Sequence, residues 1–420
     1  MLKQLIVFIF LMQFKVAFAQ TDLLQKHLES DFYQTQFIGF YLFDPIEKKE
    51  LYSYNGNKYF EPASNTKIFT LYTAMKTLKD SIPAFKYQIK DDVLHVEGTG
   101  DPTFLHPKFK NQRVIDFLKT KGNKIVIHWN NFSEESFLPG WTWDDFRKNY
   151  SPERSQFPIN ENLVSITKSS AGGIKSFPLI FKENIAVKEQ NELREFYENK
   201  FYIGQRTSSA KVPFIVTEDV VKAAIAEIVN KPVEISKATM PSNAQIFYSV
   251  PTDVVYKEMM ERSDNFLAEH LLLLTSSTMS GKLSANQAIK YAKINYFNDL
   301  KQNPEWIDGS GLSRYNLFTP QNMVEALVKL YRDFPEDRLF NIFPVGGKTG
   351  TLKNRFKDTV TPYIYAKTGT LSNISTLSGF IKTRSGKTLI FSLMNNHVMK
   401  DLNAVKNEND KLLRLVRDTY

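Results

Sequence analysis

Three short motifs, far apart in the chain and in one order, constrain its fold more than any other feature. Ser64-Asn65-Thr66-Lys67 is an S-x-x-K motif, Ser263-Asp264-Asn265 is S-D-N, and a K-T-G sequence follows. Each motif alone is weak evidence, because S-D-N is often a turn or helix cap and S-x-x-K an ordinary helix start. Ser263 lies 199 positions after Ser64 (263 − 64). A shared site therefore requires a fold that brings distant segments together.

The chemistry of nucleophilic catalysis explains why these residue types occur together. A serine hydroxyl is a weak nucleophile at neutral pH and needs an adjacent base. Apolar residues at helical spacing follow over 68–78, which predicts a helix that opens at Ser64. Residues i and i+3 share one helix face, so Lys67 would lie within reach of the Ser64 hydroxyl. A lysine with a lowered pKa can act as that base.

The other two motifs supply the remaining groups that acyl transfer needs. Ser263 can pass a proton to the leaving amine, and Asn265 can hold Lys67 and a substrate amide. The lysine of K-T-G offers a positive charge for a substrate carboxylate. Its glycine lets substrate backbone approach a strand closely.

The K-T-G-T sequence occurs twice, beginning at Lys348 and at Lys367. Lys367 follows the strand-like "YIYA" and precedes a second strand candidate, so its side chain can line a cleft at a hairpin strand. Lys348 follows Gly346 and Gly347, which favour a turn. Lys367 is therefore the predicted catalytic copy, and the first copy is predicted to be a chance match in a loop.

The remaining sequence predicts a mixed α/β chain. "FIGFYLFD" and "ELYSYN" form a predicted hairpin, and short strand-like runs fill the region from about residue 85 to 245. Helical periodicity returns from Val250, and the chain ends with three strand candidates and a polar helix.

The N-terminus and the composition exclude several classes of protein. Residues 1–19 have an early lysine, a short apolar run and an Ala-Phe-Ala end, which predicts a signal peptide, export and a soluble mature chain without a membrane span. The chain has no cysteine and six scattered histidines, so we expect no metal site and no cofactor. A formal net charge of +9 suits an anionic polymer such as a cell wall. No nucleic-acid-binding signature is present.

Seven stretches of the sequence resemble peptidase family S13, the D-alanyl-D-alanine carboxypeptidases and endopeptidases that form the class C low-molecular-mass penicillin-binding proteins. They are "PASNTK", "GTGDPTF", "PGWTWDD", "RSDNFLAEHLL", "DGSGLSRYN", "GTLKNRF" and "YAKTGTLSN". The resemblance implies an antiparallel sheet flanked by helices, with the active site between the sheet edge and a helical lobe. It implies a catalytic domain at 20–84 plus 247–420 and an inserted β-rich accessory region at 85–246.

The resemblance also implies a periplasmic enzyme and a role for each matching residue. Ser64 would form an acyl-enzyme with peptidoglycan stem peptides and be acylated by β-lactams. The backbone N–H groups of Ser64 and Thr370 would bind the oxyanion. Lys367, Thr368 and Gly369 would orient the carboxylate side of the substrate.

Two further residues are implied to bind the diamino acid of the stem peptide. They are Asp145 of "GWTWDD" and Arg355 of "GTLKNRF". From sequence alone, a surface ion pair with a purely structural role explains these two residues equally well. Asp308, Ser310 and Arg314 of "DGSGLSR" can support the site, although turn chemistry explains most of that stretch.

Two alternative functions stay open at this point. A serine β-lactamase needs fast deacylation, often through a dedicated glutamate, and no glutamate lies in a convincing loop. A non-catalytic wall-binding module is expected to have lost Ser64, Lys67 or Lys367, and all three are present.

Overall fold

The computed structural model describes residues 20–109, 111–357 and 360–420. The predicted signal peptide at 1–19 lies outside these residues. Within the described ranges, no helix combines the length and the apolar character that crossing a bilayer requires.

The described chain contains both strands and α-helices, with a run of strands from β6 to β10 and a run of helices from α5 to α9. The strands are β1 (Phe37–Asp44), β2 (Lys49–Tyr54), β3 (Ser81–Lys90), β4 (Val93–Gly98), β5 (Lys124–His128), β6 (Leu163–Lys168), β7 (Ile174–Phe177), β8 (Ile185–Val187), β9 (Phe201–Ile203), β10 (Ser209–Pro213), β11 (Val233–Ser236), β12 (Gln245–Pro251), β13 (Ile364–Leu371), β14 (Ile374–Lys382) and β15 (Thr388–Asn396). The α-helices are α1 (20–28), α2 (Lys67–Thr77), α3 (Gln112–Thr120), α4 (Glu218–Val229), α5 (Thr252–Arg262), α6 (Asn265–Ser280), α7 (Ala285–Asn295), α8 (Pro320–Asp333), α9 (Glu336–Ile342) and α10 (Leu402–Thr419).

The two ends of the chain build one antiparallel sheet in the order β13-β14-β15-β1-β2. This confirms the predicted β1–β2 hairpin and the three C-terminal strands. Side chains of successive residues in a strand point to opposite faces, so each face acquires its own core. Phe380 and Met394 pack with the helical lobe of α2, α6 and α8. Leu377 and Phe391 pack against α10.

The intervening region has its own core and, among the described residues, three further sheets. Their strand orders are β11-β5-β4-β3-β12, β10-β6-β7 and β8-β9. Two helices, α3 and α4, accompany the predicted strands. The parallel pairing of β4 with β5 explains α3, because parallel neighbours need a crossover connection. The helix α3 is short, with nine residues, and it buries Val114 and Leu118.

The edges of the inserted region coincide with two paired strands. The predicted boundaries at 84/85 and 246/247 fall inside β3 and β12, which pair antiparallel with Phe85 opposite Phe247. The N–H of Thr252 donates to the carbonyl of Asp80 at 3.0 Å, directly beyond this pair. We therefore propose that the inserted region extends from residue 81 to residue 251.

Candidate active site

Ser64 lies in a tight turn at the start of α2. A 3-10 helix covers Ala63–Thr66 and continues into α2 at Lys67, three residues after the predicted helix start. Ala63 has a φ of 47°, a left-handed conformation that is uncommon for a residue with a side chain. Such local strain occurs most often at functional sites. The turn leaves Ser64 half-buried and lining a cleft.

Lys67 is fully buried directly below the serine. Its Nζ lies 3.0 Å from Oγ of Ser64, 2.7 Å from Oδ1 of Asn265 and 2.7 Å from the carbonyl oxygen of Ser310. The amide and carbonyl oxygens can only accept, so they fix two N–H groups of a neutral amine. Its lone pair then faces the Ser64 hydroxyl. Burial lowers the pKa of Lys67 to about 8, against the opposing charges of nearby carboxylates.

The S-D-N motif forms the junction of α5 and α6. Ser263 has a φ of 57° and ends α5, and the carboxylate of Asp264 caps α6 by accepting the N–H of Leu267 at 2.9 Å. Asn265 begins α6. Its amide nitrogen donates to the carbonyl of Tyr150 at 3.0 Å, which turns its oxygen to Lys67. The junction thus brings the hydroxyl of Ser263 and the side-chain amide of Asn265 to the same cleft.

Lys367 lies in β13, the edge strand of the sheet, and is fully buried. Its Nζ donates to Oγ of Ser263 at 2.8 Å and to the carbonyl of Thr368 at 2.7 Å. Burial lowers the pKa of Lys367 well below its ordinary value, and the charge of Lys67 adds to that shift. The structure therefore connects all three motifs through two buried lysines.

Gly369 allows β13 to approach the nucleophile turn. A Cβ at this position would lie 2.2 Å from Oγ1 of Thr376 and 2.7 Å from the carbonyl oxygen of Pro62. The amide of Asn65 donates to the carbonyl of Lys367 at 3.0 Å across the same contact. The distance between the strand and the nucleophile is therefore fixed by a glycine and one hydrogen bond.

Thr370 lines the cleft, and Thr368 lies two residues before it in β13. The N–H of Ala366 donates to the carbonyl of Pro344 at 3.0 Å, on the side of β13 away from β14. Residues two apart in an antiparallel strand direct their N–H groups to the same side, so the N–H of Thr370 also faces away from β14. The hydroxyl of Thr368 donates to Thr351 at 2.8 Å.

Ser64, Ser263, Asn265 and Thr370 border a cleft of about 490 Å³, and Lys67 and Lys367 are buried beneath its surface. Polar side chains dominate its lining. The lining residues are Ser64, Thr142, Asp144, Asp145, Tyr150, Ser263, Asn265, Gly311, Leu312, Arg314, Thr370, Leu371 and Ser372.

Asp145 lies in this cleft, whereas Arg355 does not line it. The carboxylate of Asp145 accepts the hydroxyls of Thr142 at 2.8 Å and Tyr150 at 2.6 Å. Arg355 instead pairs with Asp410 of α10, with Nε 3.1 Å from a carboxylate oxygen. The structure thus separates the two residues that the sequence suggested as a substrate-binding pair, because the acid that neutralises Arg355 comes from the C-terminal helix.

The loop that begins at Asp308 positions the Ser310 carbonyl, which is a hydrogen-bond acceptor for Lys67. The buried carboxylate of Asp308 accepts the N–H groups of Gly311 at 2.7 Å and Ser313 at 2.6 Å, and the indole N–H of Trp141 at 3.0 Å. These bonds hold the carbonyl of Ser310 against the amine. The Trp141 contact also joins the inserted region to the loop at Asp308.

Glu269 is a supporting residue that sequence reasoning missed. Its buried carboxylate accepts the N–H of Ser310 at 2.7 Å, and burial followed by the charge of Asp308 raises its pKa to about 7. The available signal was an acid inside the apolar run "FLAEHLLLL", since a buried charge requires a partner.

The first K-T-G-T copy occupies an exposed turn, as Gly346 and Gly347 predicted. Lys348 is exposed, and its N–H donates to the carbonyl of Val345 at 3.0 Å. Gly350 of this copy packs on the backbone of Glu261. Only the second copy contributes its lysine to the cleft network described here.

His106, Glu161 and Asp264 lie together behind the S-D-N junction, within reach of one metal ion. The N–H of Lys108 donates to Nδ1 of His106 at 3.1 Å, so a neutral ring carries its proton on Nε2, the nitrogen nearest Glu161. The ammonium of Lys211 lies 2.7 Å from the other oxygen of Glu161. These contacts fit an ion-pair network better than metal ligation.

Comparison with known proteins identifies the family. A family model described as "D-Ala-D-Ala carboxypeptidase 3 (S13) family" matches residues 20–200 and 218–418. The D-alanyl-D-alanine carboxypeptidase DacB of Haemophilus influenzae is 23% identical over 444 residues, covering 91% of this chain and 90% of the relative. The D-alanyl-D-alanine carboxypeptidase of Actinomadura sp. is 24% identical and covers 85% of this chain and 77% of the relative.

A solved structure shares the architecture over almost the whole chain. Penicillin-binding protein 4 (dacB) from Haemophilus influenzae superposes with a TM-score of 0.73 at 20% identity, covering 94% of this chain and 98% of that one. The family match spans both the sheet-forming ends of the chain and most of the inserted region. The chain therefore belongs to the D-Ala-D-Ala carboxypeptidase 3 family, S13.

Proposed function

We propose that this protein is an exported serine D-alanyl-D-alanine carboxypeptidase and/or D,D-endopeptidase that hydrolyses peptidoglycan stem peptides through an acyl-enzyme on Ser64. The observation that carries the proposal is the environment of Lys67. Two oxygen atoms accept the N–H groups of its buried amine, and the lone pair of the amine faces the Ser64 hydroxyl. The S13 match over both halves of the catalytic unit supports the same substrate class.

The first half-reaction is acylation. Neutral Lys67 takes the proton of the Ser64 hydroxyl as Oγ attacks the carbonyl carbon of the penultimate D-alanine. The N–H groups of Ser64 and Thr370 are the proposed donors to the oxyanion, which forms at the cleft edge of β13. The proton that Lys67 took is relayed to the departing amine through the hydroxyl of Ser263, which is hydrogen-bonded to Lys367, so Lys67 is neutral again. The C–N bond breaks and an ester on Ser64 remains.

The second half-reaction regenerates the enzyme. Water attacks the ester carbonyl with Lys67 as base, the oxyanion collapses, and Ser64 leaves with a proton. The leaving group of acylation is D-alanine for a carboxypeptidase and the cross-link amine for an endopeptidase. Protonated Lys367 is the proposed source of positive potential for the substrate carboxylate, and a bound carboxylate would favour this charged form against the burial that lowers its pKa. Thr368 is the next residue of β13.

The cleft favours this function over that of a β-lactamase. The acidic residues that line it are Asp144 and Asp145, and the carboxylate of Asp145 is engaged by two hydroxyls. Glu269 lies behind the Ser310 loop and accepts a backbone N–H. The described residues therefore offer no glutamate in the cleft to activate a deacylating water. The leaving nitrogen of a penicillin stays attached to the acyl group beside Lys67 and hinders water, so a penicillin acyl-enzyme should persist.

A purified mature protein and its Ser64→Ala variant test the proposal. The wild-type protein should form a long-lived adduct with a fluorescent penicillin and release D-alanine, or split cross-links, in defined muropeptides analysed by mass spectrometry. Ser64→Ala should do neither. Rapid turnover of the penicillin would instead establish a β-lactamase, and unchanged product release by Ser64→Ala would refute the assigned nucleophile.

A further inference from the structure

An exposed group of stacked aromatic rings lies beside the cleft. We name the rings of Trp143, Phe146, Phe196 and Tyr197 the aromatic platform. Trp143 and Phe196 stack with centroids 4.9 Å apart at 30°, and Phe146 and Phe196 stack at 4.6 Å and 20°. Trp143 is 73% exposed and Tyr197 is 84% exposed. Clustered exposed rings of this kind mark interaction surfaces.

Two arginines hold the platform in place. The guanidinium of Arg147 lies 5.5 Å from the centre of the Phe196 ring and donates to the carbonyl of Arg194 at 3.2 Å. The buried Arg194 covers Phe146 at 5.4 Å. The rings are therefore ordered by the fold itself. This order reduces the side-chain entropy that the protein loses when a ligand binds.

The platform is continuous with the active-site cleft. Trp143 stands between Thr142 and Asp144, and both of these neighbours line the cleft. The next residue, Asp145, is the acid held by Thr142 and Tyr150. A ligand that extends from the cleft past this turn meets the open face of the Trp143 ring.

We propose that the aromatic platform binds the amino-sugar backbone to which the stem peptide is attached. The inference rests on the proposed function, because that substrate carries a sugar where its peptide leaves the cleft. Flat, fixed ring faces suit the C–H face of a pyranose. Polar side chains lie beside the platform, where the ammonium of Lys148 is 3.7 Å from the carboxylate of Glu192. They offer hydrogen-bond partners for the hydroxyl and acetamido groups of the sugar. The platform thereby selects polymeric or sugar-linked peptide over free peptide.

The test compares one peptide with and without its disaccharide. Covering half of an exposed indole face corresponds to roughly a tenfold change in affinity. We expect Trp143→Leu to lower kcat/KM for the disaccharide-linked peptide by about that factor and to leave the sugar-free peptide nearly unchanged. Tyr291→Ala, which removes a partly exposed ring on α7, is the matched control and should change neither.

The outcomes separate this inference from the proposed function. Equal loss on both peptides would overturn the platform, because the tryptophan would then serve the peptide or the fold. Equal activity of variant and wild type on the disaccharide-linked peptide would also overturn it. If the wild-type protein cleaves neither peptide, the proposed function fails. Binding of the peptide-free disaccharide, measured by calorimetry and lost in Trp143→Leu, then still decides whether the platform binds sugar.

Discussion

The buried environment of Lys67 predicts the pH dependence of acylation. Its pKa of about 8 leaves about one molecule in eleven neutral at pH 7, whereas the ordinary value would leave about one in 3,000. Burial thus raises the population of the competent base by about 300-fold. Protonation removes the lone pair that faces Ser64, so activity is lost as the pH falls below the pKa.

The second-order rate of acylation by a penicillin should therefore rise with pH, reach half its maximum near pH 8 and level off above about pH 9. Between pH 6 and pH 9 the neutral fraction of Lys67 increases from about 1% to about 90%. The assay is stopped-flow or quenched labelling with a fluorescent penicillin across this range. The leaving nitrogen of a penicillin stays tethered and the adduct persists, so the labelling profile reports the acylation step.

Lys67→Arg tests the assignment, because a guanidinium keeps the charge but does not deprotonate in this range. The rate should fall by a factor of about 10² to 10⁴, the usual contribution of a general base. Lys348→Arg, in the exposed turn, is the matched control and should keep the wild-type profile. A rate that is flat from pH 6 to pH 9, or a Lys67→Arg variant with the wild-type profile, would refute the reasoning.

Three further predictions follow from individual contacts. Lys367→Ala should abolish penicillin labelling and Lys348→Ala should spare it, as a gel-based labelling assay will show; the opposite result would assign catalysis to the first copy. Gly369→Ala should slow acylation and lower the free energy of unfolding by about 1–3 kcal/mol, measured by denaturant titration, because its Cβ overlaps Thr376; unchanged stability would show that the strand moves freely. Arg355→Ala should destabilise the fold by about 3 kcal/mol through the loss of its buried ion pair with an acid of α10, while KM for a diamino-acid peptide stays constant; a raised KM with intact stability would restore a substrate-binding role.

Local sequence patterns predicted the elements that depend on nearby residues. The β1–β2 hairpin, the C-terminal strands and the turn at Lys348 are confirmed, because alternation and paired glycines act over a few positions. The start of α2 differs by three residues because the turn at Ser64 is shaped by its contacts with β13. The parallel crossover through α3 was missed because strand pairing depends on distant partners.

The sequence by itself determined which chemical groups this protein can use and in what order they occur. The S-x-x-K, S-D-N and K-T-G motifs specify a hydroxyl, an amine and their supporting groups, since those roles depend on residue type. Tertiary structure decided that Lys67 is buried enough to have the lowered pKa of a base, and that Arg355 is paired with an acid of α10. Burial at the junction of α2, α6 and the Ser310 loop lowers the pKa of Lys67, and Asp410 occupies Arg355. Lys67 and Asn265 are 198 positions apart, and Arg355 and Asp410 are 55 positions apart. Neither effect is encoded in a local pattern.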